Sequence, residues 1–121
     1  MWNNQSELLS KIIRFSLELS NQLYIEKDLE SLYAPVNYIS QKKGKQIRSI
    51  LTLLTYDMFG GSTDDLRGLV LAIESLHNFT LIHDDVMDNA SIRRGIETIN
   101  KKWSINQAIL SGDVLLMQAY K

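Results

Sequence analysis

From Ser6 onward, Leu8, Leu9, Ile12, Ile13, Phe15, Leu19 and Leu23 recur mostly at steps of three and four, with Glu7, Lys11, Arg14 and Glu18 between them. That period fits an amphipathic α-helix rather than a strand, whose side chains alternate faces at every residue. A short helical or turn segment follows through Leu29, Leu32 and Tyr33. Pro35 is expected to break it, because its ring removes a backbone donor and disfavours helix just before it. Tyr38 and Ile39 then lead into a basic loop. A second apolar helix is expected from Ile47, Ile50, Leu51, Leu53, Leu54, Tyr56 and Met58, ended by Gly60-Gly61, which can adopt the left-handed conformation of a C-terminal cap. Ser62 or Thr63, followed by Asp64 and Asp65, supplies the N-cap and acidic first turn of a helix expected from about residue 64 to about residue 88. Residues 89–98 read as a polar connection, and Ile105, Ala108, Ile109, Val114, Leu115, Leu116 and Ala119 begin a further helix.

Composition narrows this to an all-α fold. One Pro and six Gly in 121 residues are too few for the many turns of a β-sandwich, and at 45% apolar the chain can bury the core of a single domain over 1–121. Thirteen basic against fourteen acidic residues leave a net charge of -1, so no overall field draws it to nucleic acid or an anionic membrane. The absence of Cys removes disulfides, thiolate metal sites and a cysteine nucleophile, and fits a reducing compartment. Charged residues interrupt the N-terminal apolar run, so neither a signal peptide nor a membrane span is expected, and the reading is cytoplasmic.

The densest chemistry lies in His83-Asp84-Asp85-Val86-Met87-Asp88, three carboxylates at the C-terminal end of an apolar helix. Asp84 and Asp88 stand one turn apart, with Asp85 on the shoulder of that face. Their charges repel one another and the negative end of the helix dipole unless cations intervene. Hard oxygen ligands in this pattern suit Mg²⁺, which keeps waters and bridges to phosphates. A solvated helix end is the plain alternative, but Phe79, Leu81, Ile82, Val86 and Met87 make the flanks apolar enough to place the carboxylates in a cleft. Upstream, Lys42-Lys43-Gly44-Lys45-Gln46-Ile47-Arg48 precedes a helix N-terminus, an arrangement open to an anion but equally to a solvated loop. It lacks the spacing of a Walker A loop. Arg93-Arg94-Gly95 follows the aspartates, either as surface counter-ions or as a grip on phosphate oxygens. His77 lies two turns before Asp84 on nearly the same face, where a lone His is ordinarily a core residue and only a neighbouring ligand cleft gives it another role.

Taken in order, Gly44-Lys45-x-x-Arg48, Asp84-Asp85-x-x-Asp88 and Arg93-Arg94-Gly95 resemble the motifs of the polyprenyl synthetases, the trans-isoprenyl diphosphate synthases. The resemblance extends to Leu81-Ile82-His83 and Gly112-Asp113, covering about residues 33–121. It implies the N-terminal portion of an isoprenoid synthase helical bundle, homodimeric in its full-length form. It also implies a Mg²⁺-dependent prenyltransferase that condenses isopentenyl diphosphate with an allylic diphosphate. Carried over residue by residue, Asp84 and Asp88 are expected as metal ligands and Asp85 as a support or co-ligand. Arg93 is expected on the allylic diphosphate, and Lys45, Arg48, His77 and Arg94 on isopentenyl diphosphate. Phe79 and Thr80 are expected to floor the pocket for the growing tail, a bulky Phe favouring short products of fifteen or twenty carbons.

The chain departs from the family pattern where Ser49 and Glu97 replace usual prolines, substitutions expected to bear on loop stiffness. The second aspartate-rich motif and later lysines of the family are absent from these 121 residues, and the last apolar run reaches Tyr120-Lys121 without a cap. Both features fit part of a longer enzyme, whose opened bundle is expected to expose apolar faces and to associate. The alternative function is a non-catalytic fragment or regulatory subunit paired with a complete synthase, although such partners typically lose the aspartates retained here.

Overall fold

The computed structural model describes residues 2–21, 30–42 and 44–121. Leu23, Leu29 and Lys43, which enter the sequence reading, lie outside the described residues. Among the described residues six helices carry the fold: α1 (Trp2–Asn21), α2 (Glu30–Gln41), α3 (Ile47–Met58), α4 (Arg67–Met87), α5 (Ile99–Lys102) and α6 (Ile105–Ala119). A 3₁₀ turn, Thr63–Leu66, precedes α4. Two short strands, β1 (Ile92–Arg93) and β2 (Ile96–Glu97), form an antiparallel hairpin in which Ile92 faces Glu97 and Arg93 faces Ile96. This hairpin occupies the expected polar connection.

The core has two parts. Ile12, Leu53 and Val70 are buried where α1, α3 and the start of α4 meet, with Leu8, Phe15, Ile50 and Leu54 around them. Val36, Ile39, Ile82, Ile99, Ala108 and Leu115 form the second part, between α2, the end of α4, α5 and α6. Helix α4 runs through both, and its pairing with α6 is the most extensive helix–helix contact among the described residues. The stretch of α4 between the two apolar clusters buries Glu74, Ser75 and Asn78 instead. A polar layer therefore separates two apolar ones.

Two expectations need correction. Pro35 does not break α2; it sits buried inside the helix, which continues to Gln41 and takes in Tyr38 and Ile39. A proline at position 35 cannot donate to the carbonyl of Ser31, but Gln107 Nε2 of α6 donates to that oxygen at 2.8 Å. Tertiary packing thus replaces the missing bond. The helix expected from residue 64 begins instead as a 3₁₀ turn and becomes α-helical at Arg67, with Ser62 as an N-cap whose side chain makes no capping bond. At the end of α3 the glycine cap holds: Gly60 has φ +79°, and the amides of Gly60 and Gly61 donate to Asp57 and Tyr56.

Candidate active site

Helix α4 delivers the aspartates. Its apolar face anchors it in the core, so the polar residues at its C-terminal end are fixed relative to the hairpin that follows. Asp84 and Asp88 are exposed, whereas Asp85 is 2% exposed. Arg93 Nε donates to Asp85 Oδ1 at 2.7 Å, a charge-assisted bond that neutralises the buried carboxylate. The hairpin is fastened to the same helix end, with Ala90 N–H donating to Asp85 O and Thr98 Oγ1 to Ala90 O at 2.7 Å. Asn89 takes φ +50°, the left-handed turn that redirects the chain out of the helix, and accepts from Lys101 Nζ at 3.2 Å.

The three carboxylates therefore do not act alike. Asp84 and Asp88 face solvent as open oxygen donors, and Asp85 holds an arginine. Among the described residues no group of three or more His, Asp or Glu side chains is placed to hold a metal ion by itself. Two carboxylates one turn apart still fit Mg²⁺, which completes its octahedron with water and phosphate oxygens rather than with a protein cage.

The basic residues, far apart along the chain, are drawn together beside α4. Arg48 Nη1, in the first turn of α3, lies 3.4 Å from His77 Nε2 on α4 and donates to it when the imidazole is neutral. Arg94, with φ +51° in the hairpin turn, donates from Nη1 to Lys42 O at 2.9 Å and so reaches the loop before α3. Gly44 in that loop lies under the Arg94 guanidinium, where a Cβ would stand 2.7 Å from Nη2. Lys45 is exposed on the same loop. Burial, then the Arg48 charge, hold the His77 pKa below its ordinary value, with Glu74 opposing them. Burial likewise lowers the Arg94 pKa, against the pull of Glu74.

Of the two residues expected to floor a tail pocket, Thr80 is exposed one turn before Asp84 and donates to His77 O at 2.8 Å. Phe79 is half-buried and packs edge-on against His83, with ring centroids 4.6 Å apart. The residues that sequence reasoning missed are Gln46, Ser49 and Glu74. Gln46 is buried with φ +51° and accepts from Ser16 Oγ at 3.0 Å, tying the basic loop to α1. Ser49 is not a loop residue: it lies buried in the first turn of α3, and its hydroxyl donates to Glu74 Oε1. A carboxylate three residues before His77 on one helix was the available signal. Glu97 stands in β2, where its carbonyl accepts from Tyr38 Oη at 3.1 Å.

A geranylgeranyl pyrophosphate synthase of Geoglobus acetivorans is 36% identical over 118 residues, which take in 94% of this chain and 37% of that protein. A geranylgeranyl diphosphate synthase of Sulfolobus acidocaldarius is 39% identical over 98 residues, 81% of this chain and 30% of that one. A crystal structure of a geranylgeranyl pyrophosphate synthase superposes with a TM-score of 0.86 at 42% identity, covering 93% of this chain and 34% of its own. The helical fold is thus that of an isoprenoid synthase, and the chain spans about a third of the length of these relatives. The polyprenyl synthetase family pattern itself matches residues 29–121, through the basic loop, the aspartate-ended helix and the arginine hairpin, so the chain belongs to the polyprenyl synthetase family.

Proposed function

We propose that this chain forms the diphosphate-binding part of a short-chain prenyl diphosphate synthase. In this reading the enzyme breaks the C–O bond of an allylic diphosphate, joins the resulting allylic carbon to the terminal double bond of isopentenyl diphosphate, and releases a proton to the departing diphosphate. The observation that carries it is the juxtaposition just described: open carboxylates at Asp84 and Asp88 at the end of α4, and an arginine–histidine cluster in which His77 of α4 is joined by Arg48 of α3 and Arg94 of the hairpin that follows α4. Two anion-handling regions a few turns apart are what a reaction between two diphosphates requires.

Asp84 and Asp88 would hold Mg²⁺, which when bound neutralises negative charge developing on the allylic diphosphate. Arg93, fixed by Asp85, presents its guanidinium beside that site and offers hydrogen bonds that strengthen as the leaving group gains charge. Arg48, Arg94 and Lys45 orient the second diphosphate, and His77 donates to it once protonated. Thr80, small and exposed one turn before Asp84, borders the space for the tail, and Phe79 stiffens that turn from the α6 side. Products of fifteen or twenty carbons are the reading for this pair.

Calorimetric titration of the chain with a short allylic diphosphate, with and without Mg²⁺, tests the proposal, alongside an assay of prenyl products by length when isopentenyl diphosphate is added. Metal-dependent binding is expected, weakened at least about tenfold in Asp84→Ala and in Asp88→Ala. Binding that ignores both the metal and the two substitutions overturns the assignment.

A further inference from the structure

Glu74 carries a charge where charges are costly. It is 8% exposed in the middle of α4, and its hydrogen-bond partner is a neutral hydroxyl, that of Ser49, itself fully buried on α3. A carboxylate placed this way is tolerated when cations stand close enough to offset its desolvation. Glu74 acts electrostatically on His77, one turn beyond it on α4, and on Arg94, while Arg48 is the residue next to Ser49 on α3. Arg94 comes in from the hairpin, anchored to Lys42 O at 2.9 Å.

We propose that the Ser49–Glu74 pair is a positioning device for the arginine–histidine cluster, fixing α3 against α4 so that Arg48, His77 and Arg94 converge on one anion. The inference rests on the diphosphate reading of that cluster and adds two residues that touch no substrate. Ser49 supplies the cross-helix bond, and Glu74 supplies the counter-charge that lets three basic groups gather without a ligand. Without the bond, Glu74 would be drawn directly onto one of the cations and the cluster would lose its shared focus. The groups facing His77 are Arg48 from α3, Glu74 from α4, and Arg93 and Arg94 from the hairpin; Glu74 is the one that raises the imidazole's proton affinity.

Two measurements on the whole chain test the pair. Calorimetric titration with inorganic pyrophosphate is expected to show affinity lowered about fivefold in Ser49→Ala, although no charge has changed. Ser49→Thr, which keeps the hydroxyl, is expected to restore it. In Glu74→Gln, whose amide oxygen still accepts from Ser49, NMR titration of His77 is expected to give a midpoint at least about half a pH unit lower than in the parent. Circular dichroism confirms that each variant is folded. Parental pyrophosphate affinity in Ser49→Ala, or an unchanged His77 midpoint in Glu74→Gln, overturns the pair's role. Failure of the parent itself to bind pyrophosphate overturns the diphosphate reading, and the His77 midpoint still decides whether Glu74 sets the charge of the cluster.

Discussion

Single residues set the geometry on which the basic cluster depends, and Gly44 shows how. Its missing side chain makes room for Arg94: a Cβ there would lie 2.7 Å from Nη2 and 2.8 Å from Cζ of the guanidinium. The obstructed atoms are at the end of a long side chain, so the arginine can swing aside at little cost to the fold. Gly44→Ala is therefore expected to lower pyrophosphate affinity roughly three- to tenfold while leaving the midpoint of thermal unfolding within about 2 °C of the parent. Parallel calorimetric and unfolding experiments would show the two effects separating; a large loss of stability with intact binding would refute the account. Residue types at this scale were legible in the sequence. Lys45, Arg48, Arg93 and Arg94 stand out because they lie in motifs that resemble a known family, and His77 is singled out by what that resemblance implies. Ser49 and Glu74 were not, since a serine and a glutamate 25 positions apart advertise no partnership until two helices bring them into contact.

Elements are held in place by close approaches that their own sequence does not announce. Helices α4 and α6 meet where His83 packs over Gly112, with His83 Nε2 3.2 Å from Ile109 O and 3.8 Å from Asp113. A Cβ on Gly112 would stand 2.3 Å from that ring nitrogen and 2.5 Å from Cδ2. The imidazole cannot retreat freely, because Phe79 also packs edge-on against it. Gly112→Ala is expected to destabilise the chain by about 1–3 kcal/mol through overpacking. Thermal unfolding monitored by circular dichroism should show a midpoint lower by roughly 4–10 °C; an unchanged midpoint would mean the helices separate without cost. Helix α2 makes the complementary point. Local rules assign Pro35 to a break, and they err because the carbonyl of Ser31 finds its donor on α6 rather than along its own helix.

The molecule as a whole keeps substantial apolar surface in water. Leu51, Leu69 and Leu76 are about half exposed and Phe59 is 85% exposed. Leu51, Thr55, Tyr56, Phe59, Leu66 and Leu69 border an open groove of about 450 Å³ between α3 and the start of α4. No helix among the described residues is long and apolar enough to cross a membrane. Contiguous patches of this kind promote association. Sedimentation velocity at micromolar concentration is expected to show dimers or larger species, with Leu51→Glu shifting the distribution towards monomer; a strictly monomeric parent would contradict that expectation. The amino-acid sequence determined the helical class, four of the long helices in outline and the family its motifs resemble, because side-chain periodicity and motif spacing are local properties. It could not determine that Asp85 is withdrawn from its neighbours to hold Arg93, or that α2 passes through its proline. Nor could it show that Glu74, buried on α4, meets the Ser49 hydroxyl of α3. Those outcomes depend on which buried polar atoms find partners on other helices, and only the folded chain brings such partners within bonding distance.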